Sequence, residues 1–372
     1  MSDTRADTTK YYSPLARMLS PYVAGEQPQS GGWIKLNTNE SPYPPSPRVI
    51  EAVRGAVGED AAALRLYPDP DADALRDALS KRHGVNRENV FISNGSDETL
   101  AFMFAAFFAG LDCVTPAVGY SFYPTYALLF GAKLRLIPMA DGFNAGLNVD
   151  VGGLLNANAP IIIANPNAPT TIALSRETIL DMRETLAKRS QLLVVDEAYA
   201  PFHEDCAVAD GCARYDNLLV VRTFSKAYAL AGMRVGYAIG HSDLIDALCR
   251  VRDSFNSYPV DRVAQAAALA AAEDVETLSR TVAAISDTKI TSRQALLSLG
   301  FECAHSHTNF LFARHPRVKG RILYDGLAAR RILVRRFDKP GIEDYLRITI
   351  GTPDEMKRVI QALTDILKET LS

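Results

Sequence analysis

The sequence predicts an α/β protein with a mostly parallel central sheet in a large domain, plus a smaller α+β domain. Its 372 residues exceed what one hydrophobic core usually serves. Short runs rich in Val, Ile and Leu alternate with longer helical stretches, as in sheets that helices cover on both faces. After about Asn256 the order changes to helix, strands, helix. We therefore expect a large domain at 47–258 and a small domain that combines an arm at 1–46 with 259–372.

The elements of the large domain follow the apolar pattern. The Pro- and Gly-rich start predicts an irregular arm, and the helix near 47–57 has proline at its first turn. Near-continuous apolar runs suit strands buried on both faces. Strands are predicted at 90–93, 134–139, 160–166, 191–199 and 217–225, and helices from about 97 to 109 and at 175–189.

The small domain begins with an Ala-rich helical region at 261–298 and closes with a helix at 353–370. Three strand-like segments lie between them: TNFLFAR (308–314), ILVRRF (332–337) and YLRITIG (345–351). We expect the N-terminal arm to pack against this domain.

Composition and charge exclude several classes of function. A net charge of −3 gives no basic surface for nucleic acid or for a membrane. The longest apolar stretch, at 100–111, is too short to span a bilayer, and the polar opening does not resemble a secretory signal. Five scattered cysteines without a CxxC pair suit reduced thiols in a cytoplasm. His305 and His307 lack carboxylate or thiol companions, so we predict no metal site.

Polar residues follow several predicted strands, and ligands of parallel α/β sheets gather at these strand ends. The segment SNGSDE (93–98) follows the first strand and opens a helix. Its glycine permits a tight turn, and the N–H groups of Ser96 and Asp97 suit a phosphate at the helix start. An ordinary helix cap with acidic first-turn residues is the alternative.

A second strand end carries VVDEAY (194–199). An acid directly after an apolar strand is costly unless it meets a cation or lies at the mouth of a site. Asp196 suits a protonated pyridine nitrogen, and Tyr199 suits a ring hydroxyl. A solvated acidic pair is the alternative. In GYSFYPTY (119–126), Tyr120 is the aromatic residue best placed to stack on a flat heteroaromatic ring, with core packing of one of the three tyrosines as the alternative.

The third strand end carries RTFSKAYALAGMRVGYAIG (222–240). Lys226 follows a buried strand and projects into the same mouth. Thr223 and Ser225 offer hydroxyls and Arg234 a guanidinium fork to a phosphate dianion. A desolvated lysine near other cations has the lowered pKa that a Schiff-base nucleophile needs. The order of phosphate loop, carboxylate, lysine and arginine distinguishes this Ser-Lys pair from a surface one.

These motifs resemble a fold-type-I enzyme dependent on pyridoxal 5'-phosphate (PLP), of the aspartate aminotransferase superfamily. Within it, the chain resembles the histidinol-phosphate aminotransferase family over nearly all its length. The matching segments, besides SNGSDE, VVDEAY and the Lys226 segment, are LSPYVAGEQP (19–28), IKLNTNESPYPPSP (34–47), LYPDPDADALRDAL (66–79), NPNAPT (165–170), TNFLFAR, LVRRF (333–337) and YLRITIG.

The resemblance implies a role for each cofactor residue. Lys226 forms the Schiff base with PLP, and Asp196 pairs with the pyridinium nitrogen. Tyr199 bonds the ring hydroxyl, and Tyr120 stacks on the ring. The phosphate ligands implied are Ser96, Asp97, Ser225 and Arg234. Tyr67 reaches the phosphate of the neighbouring subunit's cofactor, which implies a homodimer with shared active sites.

For the substrate, the resemblance implies that Arg335 and Arg347 bind a phosphate with help from Tyr22. Many aminotransferases use the counterpart of Arg347 for a carboxylate. The alternative for Arg335 is an ion pair with an acid such as Asp338 or Glu343.

The chain departs from the common pattern at one place. The position usually occupied by an Asn that touches the ring hydroxyl is Ala168, with Asn167 before it and Thr171 in place of a Gly. Either Asn167 takes over this contact or Tyr199 holds the hydroxyl alone.

The activity that the resemblance implies is transamination of histidinol phosphate with 2-oxoglutarate and L-glutamate as the acceptor–donor pair, in histidine biosynthesis. Ping-pong transfer would pass through the Lys226 Schiff base. The alternatives are an aromatic amino-acid aminotransferase, a PLP-dependent decarboxylase of a phosphorylated amino acid, and a non-catalytic ligand sensor. A sensor usually carries a DNA-binding module, and no spare helix-turn-helix segment is visible.

Overall fold

The computed structural model describes residues 9–20, 25–28, 31–140 and 147–372. Its strands in chain order are β1 (Ile34–Lys35), β2 (Val90–Ser93), β3 (Asp112–Pro116), β4 (Lys133–Ile137), β5 (Ile161–Ala164), β6 (Leu193–Asp196), β7 (Leu218–Thr223), β8 (Gly236–Gly240), β9 (Glu302–Cys303), β10 (Phe310–Arg314), β11 (Ile332–Leu333), β12 (Arg335–Arg336) and β13 (Leu346–Thr349).

The α-helices in chain order are α1 (Pro14–Met18), α2 (Pro47–Val57), α3 (Asp73–His83), α4 (Ser96–Met103), α5 (Tyr123–Phe130), α6 (Val151–Asn156), α7 (Arg176–Ala187), α8 (Ser242–Phe255), α9 (Arg262–Glu273), α10 (Val275–Ser298), α11 (Gly320–Ala329) and α12 (Pro353–Leu371). The α4 helix continues as one π-helical turn over Phe104–Phe108. Among the described residues, no helix combines the length and the apolar character needed to cross a membrane.

The large sheet has seven strands in the order β2-β8-β7-β6-β5-β3-β4. The pairs from β7 to β4 are parallel, whereas β8 runs antiparallel to both β7 and β2. The prediction of a mostly parallel sheet is therefore confirmed. Strand β8 was not predicted from the sequence, because its GYAIG segment is short and bounded by glycines, which weaken any strand signal.

Alternate residues of the central strands enter two different cores, one on each face of the sheet. Ile161 and Ile163 of β5 belong to one core, and Ile162 belongs to the other. Helices α2, α3, α7 and α9 contribute to the first core, and α4, α5 and α8 to the second. A strand covered on both faces has no solvent side, which explains the continuous apolar runs in the sequence.

A second, antiparallel sheet has four strands in the order β12-β13-β10-β9. The N-terminal arm joins this region, because β1 pairs in parallel with β11, with Ile34 opposite Ile332. The closing helix α12 begins with a capping box, in which Thr352 and Glu355 bond each other's backbone N–H groups. The domain boundaries at 46/47 and 258/259 stay a prediction.

Candidate active site

A cavity of about 260 Å³ lies where the carboxyl ends of β5, β6 and β7 meet the arm. The strand ends supply Ala164, Asp196 and Thr223 to its wall. The remaining lining residues are Thr38, Glu40, Ser96, Asp97, Tyr120, Ala168, Ala198, Tyr199, Ser225, Lys226, Ala231 and Arg234. Parallel strands thus bring together residues more than 100 positions apart in the sequence, as the strand-end pattern predicts.

Lys226 projects into this cavity from the turn after β7. Its Nζ donates to the backbone carbonyl of Thr38 over 3.1 Å. Burial, and after it the charge of the Arg347 guanidinium, lower the pKa of Lys226 to about 8. An amine with such a pKa is neutral in a substantial fraction of molecules near pH 7, and the neutral amine is the nucleophile.

Asp196 forms the buried acid of the cavity. Its Oδ1 accepts from the Ala198 N–H, and its Oδ2 accepts from the Tyr123 hydroxyl, each over 3.1 Å. Burial raises the pKa of Asp196 to about 6, although these two hydrogen bonds oppose the rise. A desolvated carboxylate of this kind favours a cationic N–H partner, because that partner would offset its burial.

Tyr123 is a residue that the sequence analysis missed. It is fully buried and orients Asp196, whereas Tyr120, three positions earlier, lines the cavity and donates to Asp97 Oδ1 over 2.7 Å. The segment GYSFYPTY offers three tyrosines, and only the start of α5 at Tyr123 decides which of them faces the sheet.

Hydroxyl and guanidinium groups form an anion-binding corner around the start of α4. Thr223 Oγ1 donates to Ser225 Oγ over 3.0 Å, and Arg234 Nη1 donates to the same oxygen over 3.3 Å. Arg234 also pairs with Asp97 at 3.3 Å. The first N–H groups of any helix lack partners within the helix, and those of α4 begin at Ser96, which lines the cavity.

Two glycines make this corner possible. Gly95 has a φ of 81°, in the left-handed region that glycine adopts without strain. A Cβ on Gly236 would collide with the backbone of Gly95 and Ser96, so β8 approaches the α4 start closely only because residue 236 has no side chain.

The N-terminal arm contributes more to the site than its irregular sequence indicates. Besides the Thr38 carbonyl on Lys226, Asn39 Nδ2 donates to the Tyr199 hydroxyl over 2.7 Å. Glu40 lines the cavity and accepts from Lys35 and Thr38. Burial raises the pKa of Glu40, but the bonds from Lys35 and Thr38 outweigh burial and leave it below its usual value. Glu40 is therefore a carboxylate near Lys226.

Arg335 and Arg347 lie directly opposite each other on β12 and β13. Both guanidinium groups face the ring of Phe337, at 5.9 and 5.6 Å from its centroid. Arg347 Nη2 also donates to the backbone carbonyl of Asn37 over 2.8 Å.

The alternative for Arg335, an ion pair with Asp338 or Glu343, is wrong. The neighbouring Arg336 donates hydrogen bonds to the Asp338 carboxylate and to the backbone carbonyl of Glu343. Arg335 has no carboxylate partner among the residues that the structure describes. Two cations thus lie side by side on one aromatic ring.

Four predicted site residues that the structure describes do not line the cavity: Arg335, Arg347, Tyr67 and Asn167. Tyr67 is 77% exposed and stacks on Tyr258 with ring centroids 4.5 Å apart, outside the cavity of its own subunit. Asn167 is buried behind the wall, where Nδ2 donates to the Val118 carbonyl and to Thr170. Ala168 takes the lining position instead. Tyr22 lies outside the described residues.

The departure at Thr171 has a backbone consequence. Thr171 is buried with a φ of 69°, a region where a β-branched residue is strained and glycine is not. Its carbonyl accepts from the His307 N–H over 3.0 Å, so this strained turn also contacts the small antiparallel sheet region.

Comparison with known proteins relates this geometry to a family. The family model described as aminotransferase class I and II matches residues 31–363. Histidinol-phosphate aminotransferase 2 of Dechloromonas aromatica is 46% identical over 362 residues, which cover 97% of this chain and 99% of that protein. Histidinol-phosphate aminotransferase 2 of Thiobacillus denitrificans is 47% identical with the same coverage.

A solved structure shares the fold. The crystal structure of histidinol-phosphate aminotransferase from Sinorhizobium meliloti, in complex with pyridoxal-5'-phosphate, aligns with a TM-score of 0.86 and 27% identity. It covers 97% of this chain and 98% of its own. The large sheet, the cavity and the arm therefore follow fold type I of the PLP-dependent enzymes.

The cavity suits a group of that chemistry. A half-buried lysine of low pKa, a buried acid and an anion-binding corner line one space of about 260 Å³. The lysine amine is complementary to an aldehyde, the acid to a basic ring nitrogen, and the anion-binding corner to a phosphate. Arg234 bridges Ser225 and Asp97 at the corner, which places a guanidinium where a phosphate dianion would be bound.

Proposed function

Because the chain belongs to the class I and II aminotransferases and, within them, to the histidinol-phosphate aminotransferase family, we propose that it transfers the amino group of histidinol phosphate to 2-oxoglutarate. It is a PLP-dependent enzyme, since this family depends on that cofactor. L-Glutamate would be the product of the second half-reaction, and the pathway served would be histidine biosynthesis.

The chain's own residues divide the proposed work among them. PLP, when bound, supplies the aldehyde that takes up the amino group and the ring that accepts electrons from the substrate Cα. Lys226 holds the cofactor and, once released, takes the proton from the substrate Cα as general base. Asp196 keeps a proton on the ring nitrogen, and Tyr199 donates to the ring oxygen. The start of α4 with Thr223, Ser225 and Arg234 binds the phosphate.

The observation that carries the substrate proposal is the pair of Arg335 and Arg347. Like charges directly opposite on paired strands are destabilising, and Arg335 has no ion pair with a carboxylate among the described residues. A phosphate dianion offers three oxygens and up to two charges, and it would neutralise both groups together. A single carboxylate would bind only one of the two guanidinium groups.

The test compares two amino donors in the wild type and in Arg335→Ala. We expect kcat/KM for histidinol phosphate to fall by about 10²-fold, the loss of about 2–3 kcal/mol of charged hydrogen bonding. Transfer from glutamate should change much less, because its α-carboxylate can rely on Arg347. Arg336→Ala is the matched control, since its side chain pairs with Asp338 rather than facing Phe337.

An equal loss for both donors in Arg335→Ala would contradict the phosphate assignment. Wild-type preference for phenylalanine over histidinol phosphate would favour an aromatic amino-acid aminotransferase instead.

The proposed assembly is a homodimer with shared sites. Large apolar side chains are exposed in two segments, and the stacking of Tyr67 on Tyr258 brings these segments into contact: Leu64, Leu66 and Tyr67 in one, Phe255 and Tyr258 in the other. An exposed apolar cluster of this kind favours an interface with a second copy. In that dimer, Tyr67 would reach the cofactor phosphate of the neighbouring subunit. We further propose a cytoplasmic location, which the scattered, unpaired cysteines support.

A further inference from the structure

Asn39 contacts Tyr199 from a backbone conformation that few residues adopt. It lies in the arm between β1 and α2, is 2% exposed and has a φ of 58°. Asparagine tolerates this left-handed region better than most residues, but such a conformation persists only where the surroundings stabilise it. Its N–H donates to Thr349 Oγ1 and its carbonyl accepts from Asn309 Nδ2, so both backbone polar groups are bonded across the fold.

The Thr349 hydroxyl fixes which way the Asn39 amide points. Thr349 Oγ1 accepts from the Asn39 N–H over 3.0 Å, so its own proton needs a different acceptor. Asn39 Oδ1 lies 3.1 Å away and accepts that proton. If the amide were turned over, its NH₂ would face the hydroxyl, and the buried proton would have no acceptor among the described residues. Asn39 Nδ2 therefore faces Tyr199.

This orientation determines where the Tyr199 proton goes. Asn39 Nδ2 donates to the phenol oxygen over 2.7 Å, so that side of the hydroxyl is used as an acceptor. The phenol proton must then point away from Asn39. Tyr199 lines the cavity, and its ring is packed edge-on against Phe310 on another side, with centroids 5.2 Å apart. The cavity is the direction left for the proton.

We propose that Asn39, oriented by Thr349, is a positioning residue that directs the Tyr199 hydroxyl proton into the cavity toward the cofactor's ring oxygen. The inference rests on the proposed role of Tyr199. Asn39, an arm residue that the sequence pattern did not single out, thus contributes to the site from its left-handed backbone conformation. It also connects the ring-oxygen contact to β13, where Arg347 lies two residues before Thr349.

The test uses Thr349→Val, which removes the orienting hydroxyl, and Thr349→Ser, which keeps it. The readout is the pH midpoint of the absorbance change of the lysine-bound cofactor. A ring oxygen that loses its donor holds its shared proton more tightly, so the midpoint rises. We expect Thr349→Val to raise it by about one pH unit, equivalent to one hydrogen bond, toward the value of Tyr199→Phe. Thr349→Ser should match the wild type.

The same pair of variants in a Tyr199→Phe background separates positioning from general damage. With the phenol proton gone, Thr349→Val should shift the midpoint no further, because both changes remove one interaction. An additive shift, or an equal shift in Thr349→Ser, would overturn the proposal. An unchanged midpoint in Thr349→Val alongside a shifted one in Tyr199→Phe would overturn the role of Asn39 alone. An unchanged midpoint in Tyr199→Phe would overturn the Tyr199 assignment and this inference with it.

Asn39→Asp provides a second variant in case Thr349→Val fails to fold. The carboxylate has nearly the shape of the amide but can only accept from Tyr199, so it draws the phenol proton away from the cavity. We expect the midpoint to rise as in Tyr199→Phe and PLP to dissociate about tenfold more readily. Retention of the wild-type midpoint and dissociation constant by this variant would also overturn the proposal.

Discussion

At the scale of single residues, Lys226 was identifiable from the sequence because its position follows from local pattern. A buried strand directs the next residues to the sheet edge, and the structure places Lys226 in the cavity as expected. The pKa of about 8 could not be predicted from the sequence, because it results from burial and from the charge of Arg347. Arg347 is 121 positions away in the chain.

This pKa predicts how cofactor uptake depends on pH. Burial lowers the pKa of Lys226, so the reactive neutral amine increases as the pH rises through about 8. The rate at which PLP binds covalently should therefore rise about tenfold per pH unit below that value and level off above it. Stopped-flow absorbance after mixing the apoprotein with PLP measures this rate. A rate independent of pH between 6 and 8 would contradict the assignment.

Lys226→Ala is the control for the same residue. It should lose more than about 10³-fold in transamination rate, since nucleophile and proton carrier both disappear. Borohydride treatment of the wild type should label a single peptide, the one containing Lys226. A label on another lysine would contradict the role proposed here.

At the scale of elements, the strand ends were predictable and the arm was not. Asp196, Thr223 and Lys226 follow apolar runs, which mark strands by themselves. Asn39 follows no strand of the large sheet, and its partners Tyr199 and Thr349 are 160 and 310 positions away. The role of Asn39 depends on long-range contacts, and the sequence of an irregular Pro-rich segment does not predict such contacts. Tyr123 was not predicted for the same reason, because its hydrogen bond to Asp196 joins residues 73 positions apart.

The loop before β10 predicts a loss of stability in acid. The ring of His307 contacts that of His203 at 4.2 Å and that of His305 at 5.0 Å. Burial, and then the charges of His203, His305 and Lys289, lower the pKa of His307 to about 4. The unfolded chain, with an ordinary value near 6.5, binds the proton more readily, so stability is complete above that pH and is lost as the pH falls toward 4.

Thermal melting between pH 7 and pH 4.5 measures this effect. In His307→Asn the drop in Tm over that range should be smaller than in the wild type by roughly 2–4 °C, since one titrating group is absent. His241→Asn is a useful control, because His241 caps the start of α8 through the Asp243 N–H and has no ring contact with another histidine among the described residues. Identical pH profiles for wild type and His307→Asn would contradict the prediction.

At the scale of the whole molecule, the proposed dimer predicts complementation between inactive variants. If Tyr67 acts across the interface, Tyr67→Phe should weaken PLP retention by about 1–2 kcal/mol, the size of one hydrogen bond to a charged group. Mixing Lys226→Ala with a Tyr67 variant would then form hybrid dimers in which one site contains both residues intact. We expect part of the activity to return after subunit exchange.

Recovery should depend on exchange and not on mixing alone. Exchange is followed by mass spectrometry of tagged subunits, and each variant alone serves as the baseline. No recovery after proven exchange would contradict a shared site.

The pairing of the arm with the C-terminal strands has a consequence for synthesis on the ribosome. Asn37, Thr38 and Asn39 are made early, yet Asn39 obtains its contacts with Asn309 and Thr349 only after almost the whole chain has been translated. The β1 strand likewise pairs only after β11, about 300 residues later in the chain, has been translated. A nascent chain can complete the large sheet while its arm still lacks a partner. We therefore expect the nascent chain to complete its active site only at the end of translation. Chains released early should contain an assembled large sheet but an incomplete active site.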